Sequence, residues 1–153
     1  MLPSITVKQV LRRKGHGYWA VPPTATAYEA LEIMADKDIG AMLVLEKGEL
    51  AGIFTERDYA RKVILKGKSS RTTLVSELMT LQPVTAGPEF TMKDCMVLMK
   101  ARRIRHLPVL DTGTLIGMIT IRDVVDAIIS EQEEEIQELE NYITGDEYQT
   151  NAA

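Results

Sequence analysis

Two stretches of this chain are copies of each other, and that duplication constrains the fold more than any other feature. Asp38–Tyr59 reads DIGAMLVLEKGELAGIFTERDY, and Arg103–Val124 reads RIRHLPVLDTGTLIGMITIRDV. They align without a gap at an offset of 65, the distance from Gly52 to Gly117. Nine of the 22 pairs are identical, among them Gly48/Gly113, Gly52/Gly117, Thr55/Thr120, Arg57/Arg122 and Asp58/Asp123. Ordinary residue frequencies would give roughly one or two matches. The same offset pairs Pro23 with Pro88, Thr26 with Thr91 and Met34 with Met99. Two copies are too few for a solenoid, in which each repeat is covered by neighbours on both sides. The halves must cover each other, about a pseudo-twofold axis.

Each copy has a readable local structure. Thr26-Ala-Tyr-Glu29 is a capping box, and the helix after it puts Ala27, Ala30, Leu31, Met34 and Ala35 on one face. Thr91-Met-Lys-Asp94 opens the second copy's helix, with Met92, Cys95, Met96 and Met99 on its apolar face. Short apolar runs bounded by glycine predict hairpins of Ala41–Glu46 with Leu50–Thr55 and of His106–Asp111 with Leu115–Thr120. Further short strands are expected around Trp19–Val21 and Val84–Ala86, and further helices from Arg57 and Arg122. The fold class is thus α/β (α+β): two β-α-β-β-α repeats packed with pseudo-twofold symmetry, plus a long C-terminal helix.

Outside the copies, Val7-Lys-Gln-Val10 matches Val75-Ser-Glu-Leu78, but at an offset of 68. The first copy therefore holds three extra residues within Arg12–Tyr18. Residues 1–70 form the first repeat with its N-terminal arm and a basic linker loop, Lys66–Arg71. Residues 71–129 form the second repeat, 130–145 a helical extension and 146–153 a frayed tail. Along the final helix Val125, Ile128, Ile129, Gln132, Ile136, Leu139 and Ile143 recur at three- and four-residue spacing. Its other face carries Glu131, Glu133, Glu134, Glu135, Glu138 and Glu140. A homodimer is expected, with this helix lying across the partner subunit.

Composition excludes several functions. Net charge is −4, so no overall basic field exists for a nucleic acid or an anionic membrane. One cysteine and two histidines leave no disulfide, no cysteine-cluster metal site and little basis for zinc. No apolar run approaches a membrane span, and MLPSITVKQVLRRKG lacks the apolar stretch of a signal peptide, so a cytoplasmic setting is expected. No GxSxG, GxxxxGKS or HExxH pattern occurs, so no catalytic residue is assigned.

The informative pattern is the repeated strand end, Gly52-Ile-Phe-Thr55-Glu-Arg-Asp58 and Gly117-Met-Ile-Thr120-Ile-Arg-Asp123. It has two readings. In one, Thr caps the next helix and Asp sits in its first turn, where a negative charge suits the dipole. In the other, Asp accepts two hydrogen bonds from a vicinal diol such as a ribose, while the Thr hydroxyl and nearby N–H groups hold phosphate.

The twice-repeated Gly-apolar-apolar-Thr-x-x-Asp pattern behind apolar hairpins, together with IGAMLVLEKGELAGIFTERDYARKV and RRIRHLPVL, resembles the tandem cystathionine-β-synthase (CBS) domain pair, or Bateman module, in its stand-alone form. The resemblance runs from about Val7 to Ile129. It implies an adenine nucleotide in the clefts between the halves: AMP foremost, with ATP, ADP, NAD or S-adenosylmethionine as the other adenosine-containing ligands. It also implies a disc-like dimer and an unknown regulated protein as partner.

Residue by residue, Asp58 and Asp123 match the ribose-binding Asp, and Thr55 and Thr120 the hydroxyl beside it. Ile104 through Pro108, Trp19-Ala20-Val21 and Val84-Thr85-Ala86 would surround the adenine. Arg105 and His106 match basic positions over the phosphates, where the first copy has Gly40 and Ala41. The second motif's site is therefore expected to take the more phosphorylated ligand. In the first motif's site Lys14, Arg57 or the loop around Lys68 would have to supply charge; Arg122 is the second motif's counterpart of Arg57. The function expected is a non-catalytic sensor. The alternatives are a nucleotide- or cofactor-transforming enzyme, or a structural dimer with vestigial pockets.

Overall fold

Both hairpins close on two residues whose φ is positive: Lys47 and Gly48 at 52° and 81°, Thr112 and Gly113 at 48° and 84°. That is the two-residue turn whose twist matches the strands it joins, and glycine in its second position carries no Cβ penalty. The computed structural model describes the backbone of residues 4–152 and side chains through Thr144. Its elements in chain order are α1 (Val7–Lys14), β1 (Ala20–Val21), α2 (Ala27–Lys37), β2 (Ala41–Glu46), β3 (Glu49–Thr55) and α3 (Glu56–Asp58). A π-helical segment, Tyr59–Ile64, continues α3, and then come α4 (Val75–Leu78), β4 (Thr80–Leu81), α5 (Met92–Arg102), β5 (His106–Asp111), β6 (Thr114–Thr120) and α6 (Ile121–Ala152).

One sheet has the order β1-β2-β3-β4, and the other is the β5-β6 hairpin. β1 runs parallel to β2, and the remaining pairs are antiparallel. The strand expected at Val84–Ala86 reduces to one parallel bridge, Ala86 to Val109, which repeats the Val21–Val44 pairing of the first copy. Pro83 in this stretch has no N–H to donate, so a longer ladder cannot extend through it. Three-residue Thr capping boxes start α2 and α5 as predicted, and both end on a left-handed residue, Asp38 and Arg103. Two positions expected on buried faces, Ala35 and Met96, are exposed, so each apolar stripe is narrower than its spacing suggests. α6 continues as helix through the stretch expected to fray: it contains no proline, and one glycine costs a helix only about 1 kcal/mol.

The arms exchange places. Val7, Val10 and Leu11 of α1 lie fully within the second copy's core, beside Met92, Cys95, Met99, Leu107, Val109 and Ile119. Val75 and Leu78 of α4 lie in the first copy's core, with Met34, Met42, Phe54 and Val63. The backbone bonds are reciprocal. Val7 N–H donates to Phe90 O at 2.8 Å, and Val75 N–H donates to Ala25 O at 2.8 Å. Met92 N–H donates to Ile5 O at 2.8 Å, and Ala27 N–H donates to Thr73 O at 2.9 Å. Burying one such side chain is worth about 1.5–3 kcal/mol, so Leu11→Ala alone would loosen the second half by about 2–5 kcal/mol. A third cluster, Ala41, Leu43 and Ile53 with Leu115 and Met118, fills the space between the halves.

Candidate functional site

At the end of β3 the chain turns from extended backbone at Thr55 into α3, and the Thr-x-x-Asp pattern closes on itself. Thr55 Oγ1 accepts the Asp58 N–H at 3.1 Å. Asp58 Oδ2 accepts the Thr55 N–H at 3.0 Å and its hydroxyl at 3.1 Å. The second copy repeats the arrangement: Thr120 Oγ1 accepts the Asp123 N–H at 3.3 Å, and Asp123 Oδ2 accepts the Thr120 N–H at 2.9 Å and its hydroxyl at 3.2 Å. Both copies thus display the capping reading. Each carboxylate also meets one lysine: Lys62 lies 3.1 Å from Asp58 Oδ1, and Lys14 lies 2.7 Å from Asp123 Oδ2. A carboxylate offers roughly four acceptor positions. Asp58 has both oxygens engaged, whereas all three contacts of Asp123 fall on Oδ2.

The first motif opens onto a cleft of about 650 Å³, within the roughly 300–1,000 Å³ usual for small-molecule sites. Thr55, Glu56, Arg57, Asp58 and Arg61 form one wall, and Gly40 and Ile53 belong to the same half. The second half contributes Thr80, Pro83, Val84 and the run Arg102-Arg103-Ile104-Arg105-His106. Five arginines and two acidic residues thus line the cleft, in a chain whose net charge is −4. Arg57 Nη1 donates to the Arg103 carbonyl at 2.8 Å and ties the two walls together. A shallower hollow of about 340 Å³ adjoins it, sharing Arg57, Arg103, Ile104 and Arg105 and adding Met96, Met99, Lys100 and Ile121.

His106 is half-buried at the start of β5. Desolvation first, and the neighbouring Arg105 second, lower its pKa from the ordinary 6.5. Its imidazole is therefore mainly neutral at pH 7 until an anion arrives. A Cβ on Gly40 would lie 3.7 Å from both His106 Cε1 and Glu56 Oε1, so the missing side chain there keeps the histidine's edge of the cleft open.

The structure rearranges the expected grouping of residues. Arg105 and His106 line the cleft of the first motif, not that of the second. Lys14, considered as a charge donor for the first motif, sits on the second motif's Asp123. Nearby, His16 Nδ1 is 2.9 Å from the Ile116 carbonyl. Thr55, Arg57, Asp58, Val84, Ile104, Arg105 and His106 come together, and Thr120, Asp123 and Lys14 form the second constellation. Arg122 is exposed at the start of α6. Trp19, Ala20, Val21, Thr85, Pro108 and Lys68 line neither cavity. Trp19 is 49% exposed, with the Lys37 ammonium 4.5 Å from its ring centre, and Pro108 is buried in β5.

Sequence reasoning missed Arg61, Arg102 and Arg103. The available signal for Arg102 and Arg103 was the basic cluster Arg102-Arg103-Ile104-Arg105-His106, of which the reading above takes Ile104, Arg105 and His106. Cys95 is fully buried, and burial with Asp94 nearby pushes its thiol up to about 11, so it carries no thiolate at neutral pH. Among the described residues, no three His, Cys, Asp or Glu side chains gather as a metal site. No helix among them is long and apolar enough to cross a membrane.

Comparison with known proteins matches this architecture. The family model for the CBS domain fits residues 7–65 and again 75–130. The chain is 42% identical to the CBS domain-containing protein CBSX3, mitochondrial, of Arabidopsis thaliana, over 93% of this chain and 73% of that protein. A solved CBS-domain protein from Burkholderia ambifaria MC40-6, proposed to act in signal transduction, superposes with a TM-score of 0.80 at 46% identity, covering 83% of this chain and 96% of that one. The structure of CBSX2 in complex with AMP superposes with a TM-score of 0.67 at 26% identity, covering 84% of this chain and 98% of that one. Two matched copies, reciprocal arms and a cleft built from both halves lead to one assignment: the chain belongs to the CBS-domain family and carries two CBS domains in tandem.

Proposed function

We propose that this chain is a non-catalytic regulatory module that binds an adenine nucleotide, AMP foremost, in the first-motif cleft and reports its occupancy to a partner protein. The observation that carries this reading is the cleft itself. It puts Asp58, a carboxylate able to accept from a ribose diol, in one cleft with Arg102, Arg103 and Arg105 of the other half, whose guanidinium groups suit phosphate oxygens. Val84 and Ile104 supply an apolar lining for a base. For the ribose to dock, its hydroxyls must replace Lys62 on Asp58 Oδ1; Lys62 can fall back on the Leu78 carbonyl, already 2.9 Å away. The AMP complex of the CBSX2 relative supports the ligand class.

Because the cleft is walled by both halves, a ligand bridging Asp58 and Arg105 would change their relative angle. Differential affinity for two such states is what a sensor transmits. We further propose that the working unit is a homodimer. The setting we propose is cytoplasmic; the relative named mitochondrial makes an organelle the alternative to examine.

The test is isothermal calorimetry of the nucleotide-free chain with AMP, ADP, ATP, NAD and S-adenosylmethionine, followed by chromatography of the recovered ligand. The expected result is saturable binding of an adenine nucleotide returned unchanged. Arg105→Ala should weaken it about tenfold or more, since a charge-assisted hydrogen bond is worth roughly 1.5–3 kcal/mol. Binding of none of the five, or unchanged affinity in Arg105→Ala, would overturn the reading. Conversion of the ligand would assign an enzyme instead.

A further inference from the structure

Two acidic residues line the first-motif cleft, Glu56 and Asp58, and their situations differ. Asp58 is held by Lys62 at 3.1 Å and by the Thr55 N–H and hydroxyl. Among the described residues Glu56 enters no ion pair, although five arginines line the same cleft.

The fold does not require a carboxylate at this position. The equivalent residue of the second copy, at the same offset of 65, is Ile121. The backbone does the same work in both copies. Glu56 N–H donates to the Gly40 carbonyl at 3.1 Å, and Ile121 N–H donates to the Arg105 carbonyl at 2.9 Å. A negative charge in the first turn suits the helix dipole, but each copy already has one there, Asp58 or Asp123. The Glu56 carboxylate is thus left without a structural duty.

Its position supplies another. A Cβ on Gly40 would lie 3.7 Å from Glu56 Oε1 and 3.7 Å from His106 Cε1. Carboxylate and imidazole therefore stand at most twice that distance apart, on opposite halves of the chain. His106, next to Arg105, is on the phosphate side of the cleft in the nucleotide reading above, and Glu56 is on that side with it. The arginines attract a first phosphate. Each further phosphate adds negative charge facing the carboxylate. Two added charges at about 8 Å from it, at a dielectric between those of protein surface and water, lower affinity about tenfold at low ionic strength. A like charge set against the wrong ligand gives specificity without a new contact to the right one.

We infer that Glu56 is a specificity-determining residue, which limits the first-motif cleft to a nucleoside monophosphate by repelling the outer phosphates of a di- or triphosphate. The inference rests on the nucleotide reading above and names the residue that narrows it.

The test is calorimetry of the wild type, Glu56→Gln and Glu56→Ala with AMP and with ATP, in a metal-chelating buffer so that ATP keeps its full charge. Glu56 is exposed, and circular dichroism checks that each variant is native. The wild type should bind AMP more tightly than ATP. Both substitutions should tighten ATP about tenfold more than they tighten AMP, and this gain should shrink as NaCl is added. Glu49→Gln makes the same change of charge at the opposite end of β3 from Thr55, and should alter the AMP-to-ATP ratio less than about twofold. A wild type that prefers ATP, a ratio unmoved by the Glu56 substitutions, or an AMP affinity that falls in them would overturn the inference and leave nucleotide binding standing. An equal ATP gain in Glu49→Gln would assign the effect to net charge and overturn it likewise. Binding of neither AMP nor ATP by the wild type would also overturn it, whereas the nucleotide reading itself falls only if ADP, NAD and S-adenosylmethionine fail to bind as well.

Discussion

Gly52 and Gly117 are equivalent positions in the two copies, yet the structure predicts unequal effects of replacing them with alanine. A Cβ at Gly52 would lie 2.7 Å from the Thr80 carbonyl oxygen and 2.8 Å from Met79 Sδ. A Cβ at Gly117 would lie 2.8 Å from Leu11 Cδ2 and 3.2 Å from Leu11 Cδ1. The leucine methyls can turn away, at about 0.5–1.5 kcal/mol for an off-rotamer side chain. The Thr80 carbonyl cannot, because β4 is held to β3 through the Gly52–Leu81 and Ile53–Thr80 pairs. Making room there means separating two strands, with about 1–3 kcal/mol of overpacking and about 0.5–1.5 kcal/mol for a weakened ladder bond. Against both stands the lower conformational entropy of alanine, worth about 0.5–1 kcal/mol. Gly117→Ala should therefore stay within about 1 kcal/mol of wild type, while Gly52→Ala loses about 1–4 kcal/mol.

The assay is urea unfolding followed by circular dichroism, nucleotide-free and at matched protein concentration, with the midpoint read at constant m-value. A second readout separates site from stability. Thr80 lines the first-motif cleft, so Gly52→Ala should also weaken nucleotide binding, and Gly117→Ala should not. If Gly117→Ala proves as destabilising as Gly52→Ala, then backbone against side chain is not what distinguishes the positions, and the reasoning fails.

His106 has its pKa lowered in the unliganded cleft, and a bound phosphate should raise it, so binding takes up a proton. Affinity for AMP should rise as pH falls through the liganded pKa and level off below the unliganded one; a slope equal to that of His106→Gln would place the imidazole away from the phosphate. By the same shift the unliganded fold should lose stability as pH drops below 6.5 toward the lowered value, and His106→Gln should flatten that loss in thermal melts. Lys14→Ala should release Asp123 and add a weaker second binding event in calorimetry; an unchanged isotherm would mean that the Lys14 contact is not what closes the second motif. Cys95 should react with iodoacetamide about a thousandfold or more slower in the native protein than in urea, given stabilities of several kcal/mol; rapid native alkylation would contradict its burial.

Much of the fold was legible because its determinants are local. Lys47-Gly48 and Thr112-Gly113 specify the turn, the apolar runs specify the strands, and Thr26 and Thr91 specify the helix starts within a residue. The pairing of the halves was not legible in the same way. Aligning two repeats matches equivalent residues, such as Arg105 with Gly40 or Asp58 with Asp123. Packing them face to face brings non-equivalent residues together, and so Asp58 meets Arg105 and His106. The exchange of arms follows the same logic: Leu11 fits the hollow at Gly117, and Met79 the one at Gly52. Nothing in the chain order announces either contact. The Thr/Asp motif was ambiguous for another reason: the geometry that caps a helix also presents a carboxylate to a cleft, and the sequence is the same for both.

The two motifs nevertheless differ, and the difference traces to three residues. In the second copy the arm helix α4 stops at Leu78, and the chain crosses to β3 as β4, which builds a wall of the first-motif cleft. In the first copy the extra residues within Arg12–Tyr18 let α1 run on to Lys14, and no strand forms. The ammonium at the end of that longer helix lands 2.7 Å from Asp123, with His16 bonded to β6 close behind. Each motif thus holds a lysine on its carboxylate, Lys62 on Asp58 and Lys14 on Asp123, but Asp58 faces the arginine-lined cleft and its lysine also reaches the Leu78 carbonyl. The two copies of the motif differ in where that lysine comes from: one turn further along the same helical segment for Asp58, the lengthened arm α1 for Asp123. Shortening the Arg12–Tyr18 segment to the second copy's length, by removing Lys14, Gly15 and His16, should make the second motif behave like the first: two binding events of comparable affinity by calorimetry. Retention of a single event in a folded deletion variant would show that the asymmetry lies in the clefts' arginines and not in the arm.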